Sequence, residues 1–479
     1  MKKLLNRKNF FVVSVILLFL FLSYFLLQES LEKTLFLSFT LFLWLSTYLY
    51  TKDLTFSSFL YILIVLPFNL TLQLQGNVEI FNTYFNFPSP FVNGIYSNYL
   101  VPTLSIVDIG AVLFLFSILV EKGFKYLWSI IKDFKNGFLL FLFFLLIQNI
   151  FLSSAFTVLT STRLVLYLLV LFTLIDYCKE NSSEKVLLTS SFVLLLNLII
   201  QGAVGILQVF KGASLGLLFL GESQVVNGMQ GSSFVDLGGK LLLRAYGTFP
   251  HPNILGGFLV LCILFGILSS KKIPGVGIPL VILSLIILPF TFSRIAIVLS
   301  VLILFLLLLR SILNLKTKQF SFSPLLLLER FRNLLSGKDS GWGDRVNLLK
   351  ASWRVLKGNY VFGTGSGSFV KGMENFVPTT SGGISLVQPV HNIFVLLLVE
   401  LGVFGFPIYL YILLRLLVKN VGKVTVFKVM VVTAILGLGF WDHFLVSLPQ
   451  GSIFLILMFL LLLFDSEDLK KKEKEKLSL

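Results

Sequence analysis

Apolar runs long enough to cross a bilayer recur along the whole chain, and no other feature of the sequence constrains its fold so tightly. A hydrocarbon core of about 30 Å needs about 20 apolar residues per helix. Such runs lie near 9–27, 34–50, 57–74, 105–121, 138–156, 163–178, 186–210, 253–270, 278–310, 391–418, 426–446 and 450–465. With 56% hydrophobic and 13% charged residues, a water-soluble globule would expose large apolar areas, which excludes that class. Cys178 and Cys262 are too few for a disulfide scaffold, and neither has a partner at metal-ligand spacing. The first run follows Lys2, Lys3, Arg7 and Lys8 and shows no small-residue cleavage pattern, so it reads as a membrane helix rather than a cleaved leader.

The net charge of +16 would suggest nucleic acid in a soluble protein. Here much of it sits in short loops and tails beside apolar runs, as the positive-inside rule requires, so nucleic acid is not an expected partner. The N-terminus, Lys52, the segment 121–135, Lys179 and Lys185, Lys271 and Lys272, Lys419, Lys423 and Lys428, and the lysine-rich tail are then cytoplasmic. The outer face receives 75–104, 157–162, 211–252, 311–390 and the turn near Leu448–Gly451.

The run 278–310 can be read in two ways. As one tilted or broken helix it gives about twelve spans with both termini inside. As a hairpin turning at Ser293–Arg294 it places Arg310, Lys316 and Lys318 inside, but needs another crossing before 391. The segment Pro324–Leu328 is too short to supply that crossing, so the single helix is favoured. The expected fold is all-α: a polytopic membrane bundle of about twelve helices with one large, partly helical outer loop. Its parts are membrane helices over 1–310, an outer loop over 311–390, membrane helices over 391–465 and a charged cytoplasmic tail over 466–479.

Two outer segments carry information. Segment 75–104 is rich in Asn, Tyr, Phe and Pro, which suits an interfacial lid, a sugar-contacting loop or an ordinary aromatic belt. Within 311–390, Asp344 to Lys357 reads as an amphipathic helix, with Val346, Leu349, Trp353 and Leu356 at helical spacing. The run Gly363–Ser368 has no Lys-Ser/Thr pair after it and reads as a turn-rich connector.

Walker loops, dinucleotide fingerprints and His/Cys metal clusters are missing from the sequence, so no cofactor or metal is expected. His251, His391 and His443 each fall at or near the outer end of a run, as do Arg163, Arg244, Arg294 and Arg345. Ionisable groups at membrane depth are costly and so are functional candidates. Guanidinium groups bind phosphate oxygens in bidentate, charge-assisted fashion. They would hold a lipid diphosphate and stabilise it as a leaving group. A neutral imidazole near pH 7 can take a proton from a sugar hydroxyl. These residue types fit glycosyl transfer but do not by themselves establish it.

The stretch Arg244–Asn253 containing Tyr246, Gly247, Pro250, His251 and Pro252, then Thr291 to Arg294, Asp344 and Arg345 with Trp353, Gly363 to Gly367, and His391 and Asn392 followed by Glu400 and Gly402 occur in one order. That ordered set resembles the O-antigen ligase and polymerase family of bacterial envelope glycosyltransferases, over roughly 240–420 by motif. The resemblance implies a metal-independent enzyme in the bacterial inner (plasma) membrane with its site on the periplasmic or extracellular side. It implies a glycan donor on undecaprenyl diphosphate and a lipid or glycan acceptor, as in lipopolysaccharide assembly. It also implies His391 as catalytic base and Arg244, Arg294 and Arg345, with Arg163, as diphosphate-binding residues. Two departures stand: members commonly have a further apolar span between the Ser-Arg motif and the outer loop, and the N-terminal half carries no motif.

Each candidate also has a plainer role. His391 also reads as an interfacial helix cap, Arg244 as a membrane-edge anchor, Arg294, were 278–310 a hairpin, as a turn residue, and Arg345 as a solvated charge. Asn253 is expected to cap a helix rather than touch a sugar. Asn392, Asp442 and His443 are supporting candidates; adjacent residues on a helix do not face each other, so a tight Asp442–His443 side-chain pair is not expected. Glu400 and His251 read as structural. With no paired carboxylate nucleophile in view, direct displacement would invert the anomeric carbon. A polymerase and a protein-glycosylating relative share this chemistry. A lipid-linked glycan flippase is the rival from another class.

Overall fold

The structure, a computed structural model, describes residues 2–27, 31–73, 77–80, 83–86, 89–132, 135–152, 154–180, 183–226, 231–237, 239–314, 340–380, 383–421 and 424–465. Its helices are α1 (Lys2–Leu27), α2 (Leu31–Thr51), α3 (Leu54–Val65), α4 (Ile106–Lys122), α5 (Phe124–Lys132), α6 (Lys135–Leu152), α7 (Ala155–Glu180) and α8 (Ser183–Lys211). There follow α9 (Pro252–Ser269), α10 (Pro274–Thr291), α11 (Arg294–Asn314), α12 (Ser340–Gly358), α13 (Phe369–Gly372), α14 (Ile393–Val421), α15 (Val426–Trp441), α16 (Phe444–Ser447) and α17 (Pro449–Phe464). Short antiparallel ribbons pair β1 (Thr71–Gln73) with β6 (Thr103–Ser105), β2 (Asn77–Ile80) with β3 (Thr83–Asn86), β4 (Phe91–Val92) with β5 (Ile95–Tyr96), and β7 (Phe234–Leu237) with β8 (Lys240–Leu243).

Local chemistry sets the helix starts. Asp53 accepts from Phe56 N at 2.7 Å to cap α3, and Ser105 and Asp108 form a reciprocal capping box on α4. Pro252, Pro274 and Pro449 occupy first turns, where the missing N–H costs nothing. Among the described residues, seven helices are long and apolar enough to cross a membrane: α6 to α11 and α14; α3, α15 and α17 are apolar but shorter. The protein is a polytopic helical membrane protein.

The ends of the bundle differ in chemistry. At one end Lys8 pairs with Glu121 at 2.6 Å, and Lys272 with Glu184 at 3.1 Å. The other end receives the starts of α9, α14 and α17 and the finishes of α8, α10 and α15. A layer of turns, ribbons and α12–α13 covers it. That layer has its own core, in which Val92 and Leu100 pack with Leu348, Val355, Phe369 and Met373. Asn93 Nδ2 donates to Glu374 O at 2.9 Å and Ser97 Oγ to Val387 O at 3.1 Å. The aromatic-rich segment ahead of α4 is thus stitched to the polypeptide some 300 residues later rather than lying alone as a belt.

Two expected spans are corrected. The helix expected over 57–74 ends at Val65; Pro67 lacks an N–H to continue it, and β1 begins at Thr71. The run 278–310, favoured as one helix, is two. Phe292 adopts a left-handed conformation (φ 47°), and Ser293 N donates to Thr291 Oγ1 at 3.1 Å, closing α10 and starting α11 at Arg294. Both helices are so uniformly apolar that only the Ser293–Arg294 pair marks the turn. Arg310 therefore lies roughly 24 Å along α11 from Arg294, toward the lysine-bearing end. Lys316, Lys318, Pro324–Leu328 and the tail 466–479 lie outside the described residues.

The helix α14 is broken at Gly402 (φ 66°, ψ −176°). The Gly-rich run fills the break. Thr364 N donates to Val399 O and Gly365 N to Glu400 O, both at 3.0 Å, and Val403 N donates to Tyr360 O at 2.9 Å. Gln148, buried on α6, donates to Glu400 O at 2.8 Å and to Phe362 O. Irregular backbone at membrane depth is tolerated only where protein satisfies it in this way. A Cβ on Gly402 would sit 2.4 Å from Val361 O, and one on Gly363 2.4 Å from Glu400 O. Gly402→Ala is therefore expected to cost ~1–3 kcal/mol and to lower the thermal unfolding midpoint of the solubilised protein. Alanine at the open Gly94 should be milder, through its positive φ alone.

Candidate functional site

The loop that carries Arg244 is held from below by two glutamines on α8, seven residues apart and so on one face. Gln208 Oε1 accepts from Gly247 N at 2.9 Å and Tyr246 N at 3.1 Å, and its Nε2 donates to Gly247 O at 2.8 Å and to Glu222 at 2.7 Å. Gln201 Oε1 accepts from Thr248 N at 2.7 Å. Buried Glu222 gathers the N–H groups of Leu215, Gly216 and Leu217. On this pedestal Arg244 Nε donates to Thr291 O at 2.8 Å, which joins the loop to the α10–α11 turn, and Arg244 Nη2 donates to Asn253 Oδ1 at 2.7 Å.

Asn253 does not cap α9; His251 does. His251 Nδ1 accepts from Asn253 N at 3.1 Å, which leaves the ring proton on Nε2 facing Ser233 Oγ at 3.0 Å. The Asn253 side chain is a bridge, donating from Nδ2 to Asp442 Oδ2 at 2.9 Å. Asp442 follows α15 and also accepts from His443 N at 2.7 Å through Oδ1. Asn392 caps α14, accepting from Phe394 N and Val395 N at 3.0 Å, and donates to Phe440 O at 3.1 Å. That bond ties the start of α14 to the finish of α15 and brings His391 edge-on to His443, with ring centroids 5.3 Å apart. Tyr99, from the N-terminal half, stands edge-on to His443 at 5.5 Å. His443 Nδ1 lies 2.7 Å from Ser447 Oγ, whereas His391 Nδ1 is buried without a hydrogen bond.

Three guanidiniums act on one another here. Burial takes Arg244 down to about 10, with Arg294 and Arg345 adding to the fall and Tyr246 and Asp442 opposing it. Arg345, 5.4 Å from the Trp441 ring, is lowered by burial and by Arg294 against the pull of Asp442. Arg294 heads α11 and is exposed. Burial lowers all three histidines, to about 3 for His251 and about 4 for His443, so they are neutral at pH 7. For His391, Arg345 adds to the lowering while Asp442 and Asp344 oppose it. Burial alone would raise Asp442, but the imidazoles, charged at the acid pH where this carboxyl titrates, and the Asn253 amide outweigh it and bring the carboxyl to about 2. Opposite the arginines the cluster thus places the Asp442 carboxylate, with Asp344 pushed up by burial. The balance is positive and suits an anion.

Arg163 stands apart in its contacts. It is bidentate on Asp108, at 2.8 and 3.1 Å, and Tyr167 donates to the same carboxylate at 2.7 Å. Its charge is matched within the bundle. Glu400 is likewise engaged, accepting from Phe369 N at 3.4 Å.

Residues 254–410 match the family model for O-antigen ligase. No curated protein matches the chain. The matched segment takes in the Thr291–Arg294 turn, α12 and His391, and the match suggests a ligase- or polymerase-like membrane enzyme. Arg244, Asn253, Asp442 and His443 lie outside it, and packing alone brings them to its edge. Sequence reasoning passed over Gln201, Gln208 and Glu222, although two glutamines seven apart in an apolar helix are a readable signal of a buried polar face. It also passed over Tyr99, which no local pattern marks.

Capping and chemistry separate at His251. His251→Asn should retain the cap and the folded midpoint, whereas His251→Ala should lose about 1 kcal/mol in thermal or denaturant unfolding.

Proposed function

We propose that the chain is a glycosyltransferase that moves a glycan from a polyprenyl diphosphate carrier to an acceptor hydroxyl, with its site on the face of the plasma membrane away from the cytosol. The observation that carries this reading is the convergence of a neutral imidazole, His391, whose Nδ1 has no hydrogen bond, with Arg244, Arg294 and Arg345 at one end of the bundle. The opposite end bears Lys8, Lys122 and Lys272, which supports placing that end in the cytosol.

In the step, His391 takes the proton from the acceptor hydroxyl. The oxygen bonds to the anomeric carbon as the bond from that carbon to the diphosphate breaks, and the carrier diphosphate leaves with the electron pair. The configuration inverts. Arg244, Arg294 and Arg345 take up the negative charge that builds on the leaving group, in a setting drier than bulk water where fixed donors are most effective. Asp442 and Asn253 orient Arg244, and Asp442 tempers the repulsion among the cations. A ligase and a polymerase differ only in the acceptor, a lipid-borne core glycan or a second carrier-linked glycan.

The test is purified protein in lipid nanodiscs with undecaprenyl diphosphate bearing a labelled glycan, with and without a lipid-core acceptor. Free carrier diphosphate and a longer glycan should appear, and an intact donor under every condition overturns the enzyme reading in favour of a transporter. His391→Ala should lower turnover roughly a hundred- to ten-thousand-fold while donor binding persists.

The pH profile carries a second test. A base must be neutral, and the His391 value is lowered from 6.5 by burial, so turnover should rise with pH and level off by neutrality. Arg345→Gln removes a cation that disfavours imidazolium, and it should move the acid limb to higher pH. Asp442→Asn removes the carboxylate that favours imidazolium, and it should move the limb to lower pH. The position of the limb, not the height of the plateau, is the readout.

A further inference from the structure

The helix α12 shows a second apolar face that the protein leaves uncovered. Its inward face, Leu348, Ala351 and Val355, is buried in the core of the covering layer. Trp342, Leu349 and Trp353 stand at i, i+7 and i+11, on one stripe, and are 46%, 43% and 60% exposed. Beside that stripe lie the exposed Lys350, Arg354 and Lys357, and the Lys357 ammonium sits 6.0 Å from the Trp353 ring centroid. Among the described side chains of α12, Asp344 is the acidic one, and it lies away from the stripe. Trp342 in turn meets Trp441, at the finish of the apolar helix α15, at 5.9 Å.

From this face we infer that α12 lies on the bilayer surface, with the Trp342–Leu349–Trp353 stripe among the headgroups and Lys350, Arg354 and Lys357 binding anionic phospholipid. Three features favour lipid as the occupant. A Trp/Leu stripe edged with basic residues is the composition that seats a helix in the interface. The positive flank complements anionic headgroups. The Trp342–Trp441 contact places the start of the stripe at the finish of an apolar helix of the bundle, and tryptophan gathers where such helices meet the interface. The anchor also fixes the depth of Arg345, which follows Trp342 by three residues, at the headgroup level. The inference stands whether or not the site transfers a glycan.

The test uses full-length variants in which Trp342 or Trp353 is the sole tryptophan, with phenylalanine elsewhere and unfolding midpoints checked. They are placed in phosphatidylethanolamine nanodiscs containing either brominated phosphatidylglycerol or brominated phosphatidylethanolamine at the same minor fraction. Seated in the interface, each tryptophan should be quenched roughly twofold or more by the brominated anionic lipid and less by its zwitterionic counterpart. Lys350→Glu with Arg354→Glu and Lys357→Glu should bring the two lipids to the same level. Absence of quenching by either lipid overturns the inference, and so does quenching that is equal for both in the protein with its native lysines and arginine. Turnover is not read, so failure here leaves the proposed reaction untouched, and failure of that reaction leaves this result standing.

Discussion

A peptide group that leaves water for hydrocarbon must find its hydrogen bond inside the protein, and this one obligation organises the molecule. Along the apolar runs it is met by helices. Where the chain must turn or open to build a site, side chains and borrowed backbone take over. Gln201 and Gln208 receive the N–H groups of Tyr246, Gly247 and Thr248; Gln148 and the Gly363–Gly365 turn serve the break in α14; Arg244 satisfies the last carbonyl of α10. Every one of these irregular places lies near the end of the bundle that holds the histidines and arginines. For Arg244, the side chain proposed to face the diphosphate is also one that closes the backbone.

The same accounting explains how charge is distributed. Arg163 lies in the bundle bonded to the Thr103 carbonyl and to the Asp108 carboxylate, to which Tyr167 also donates, and it reads as a strut. Arg244, Arg294 and Arg345 are arranged differently, crowding one another around the Asp442 carboxylate. Like charges are held this close only when the surrounding fold is rigid enough to bear the repulsion. The glutamine pedestal and the α10–α11 turn supply that rigidity for Arg244. An anionic ligand would relieve the repulsion.

Much of this was legible in the sequence for a simple reason: apolar length reports directly on membrane helices, and ordered motifs report on a family. Arg244, Asn253, Asp442, His391 and His443 were all singled out, and they meet, because each flanks an apolar run and such flanks share a plane. The turn at Phe292–Ser293 is one of two readings the sequence allows, as a hairpin at Ser293–Arg294; the single helix is favoured there because no further crossing is readable before 391, and the turn itself is built from a left-handed phenylalanine and a threonine hydroxyl, with no Gly or Asn to announce it. The cap of α9, expected at Asn253, is supplied by His251, since a histidine accepting through Nδ1 gives no signal in residue type. Arg163 could not be sorted from the other arginines without its partner Asp108, which lies 55 positions away. The Gly363–Ser368 run was recognised as a connector; that it threads into a helix was not, because its partners are main-chain atoms.

The discontinuity in α14 has a mechanical consequence. His391 rides on a short stub that is hydrogen-bonded through Val399 and Glu400 to the Gly-rich turn and through Asn392 to α15, while the longer remainder of the helix continues below Gly402. Bending of that lower shaft as the bilayer thickens or thins has a joint at which to dissipate. The imidazole keeps its bearing relative to the capping layer, as a compass needle on a gimbal keeps its bearing while the ship rolls.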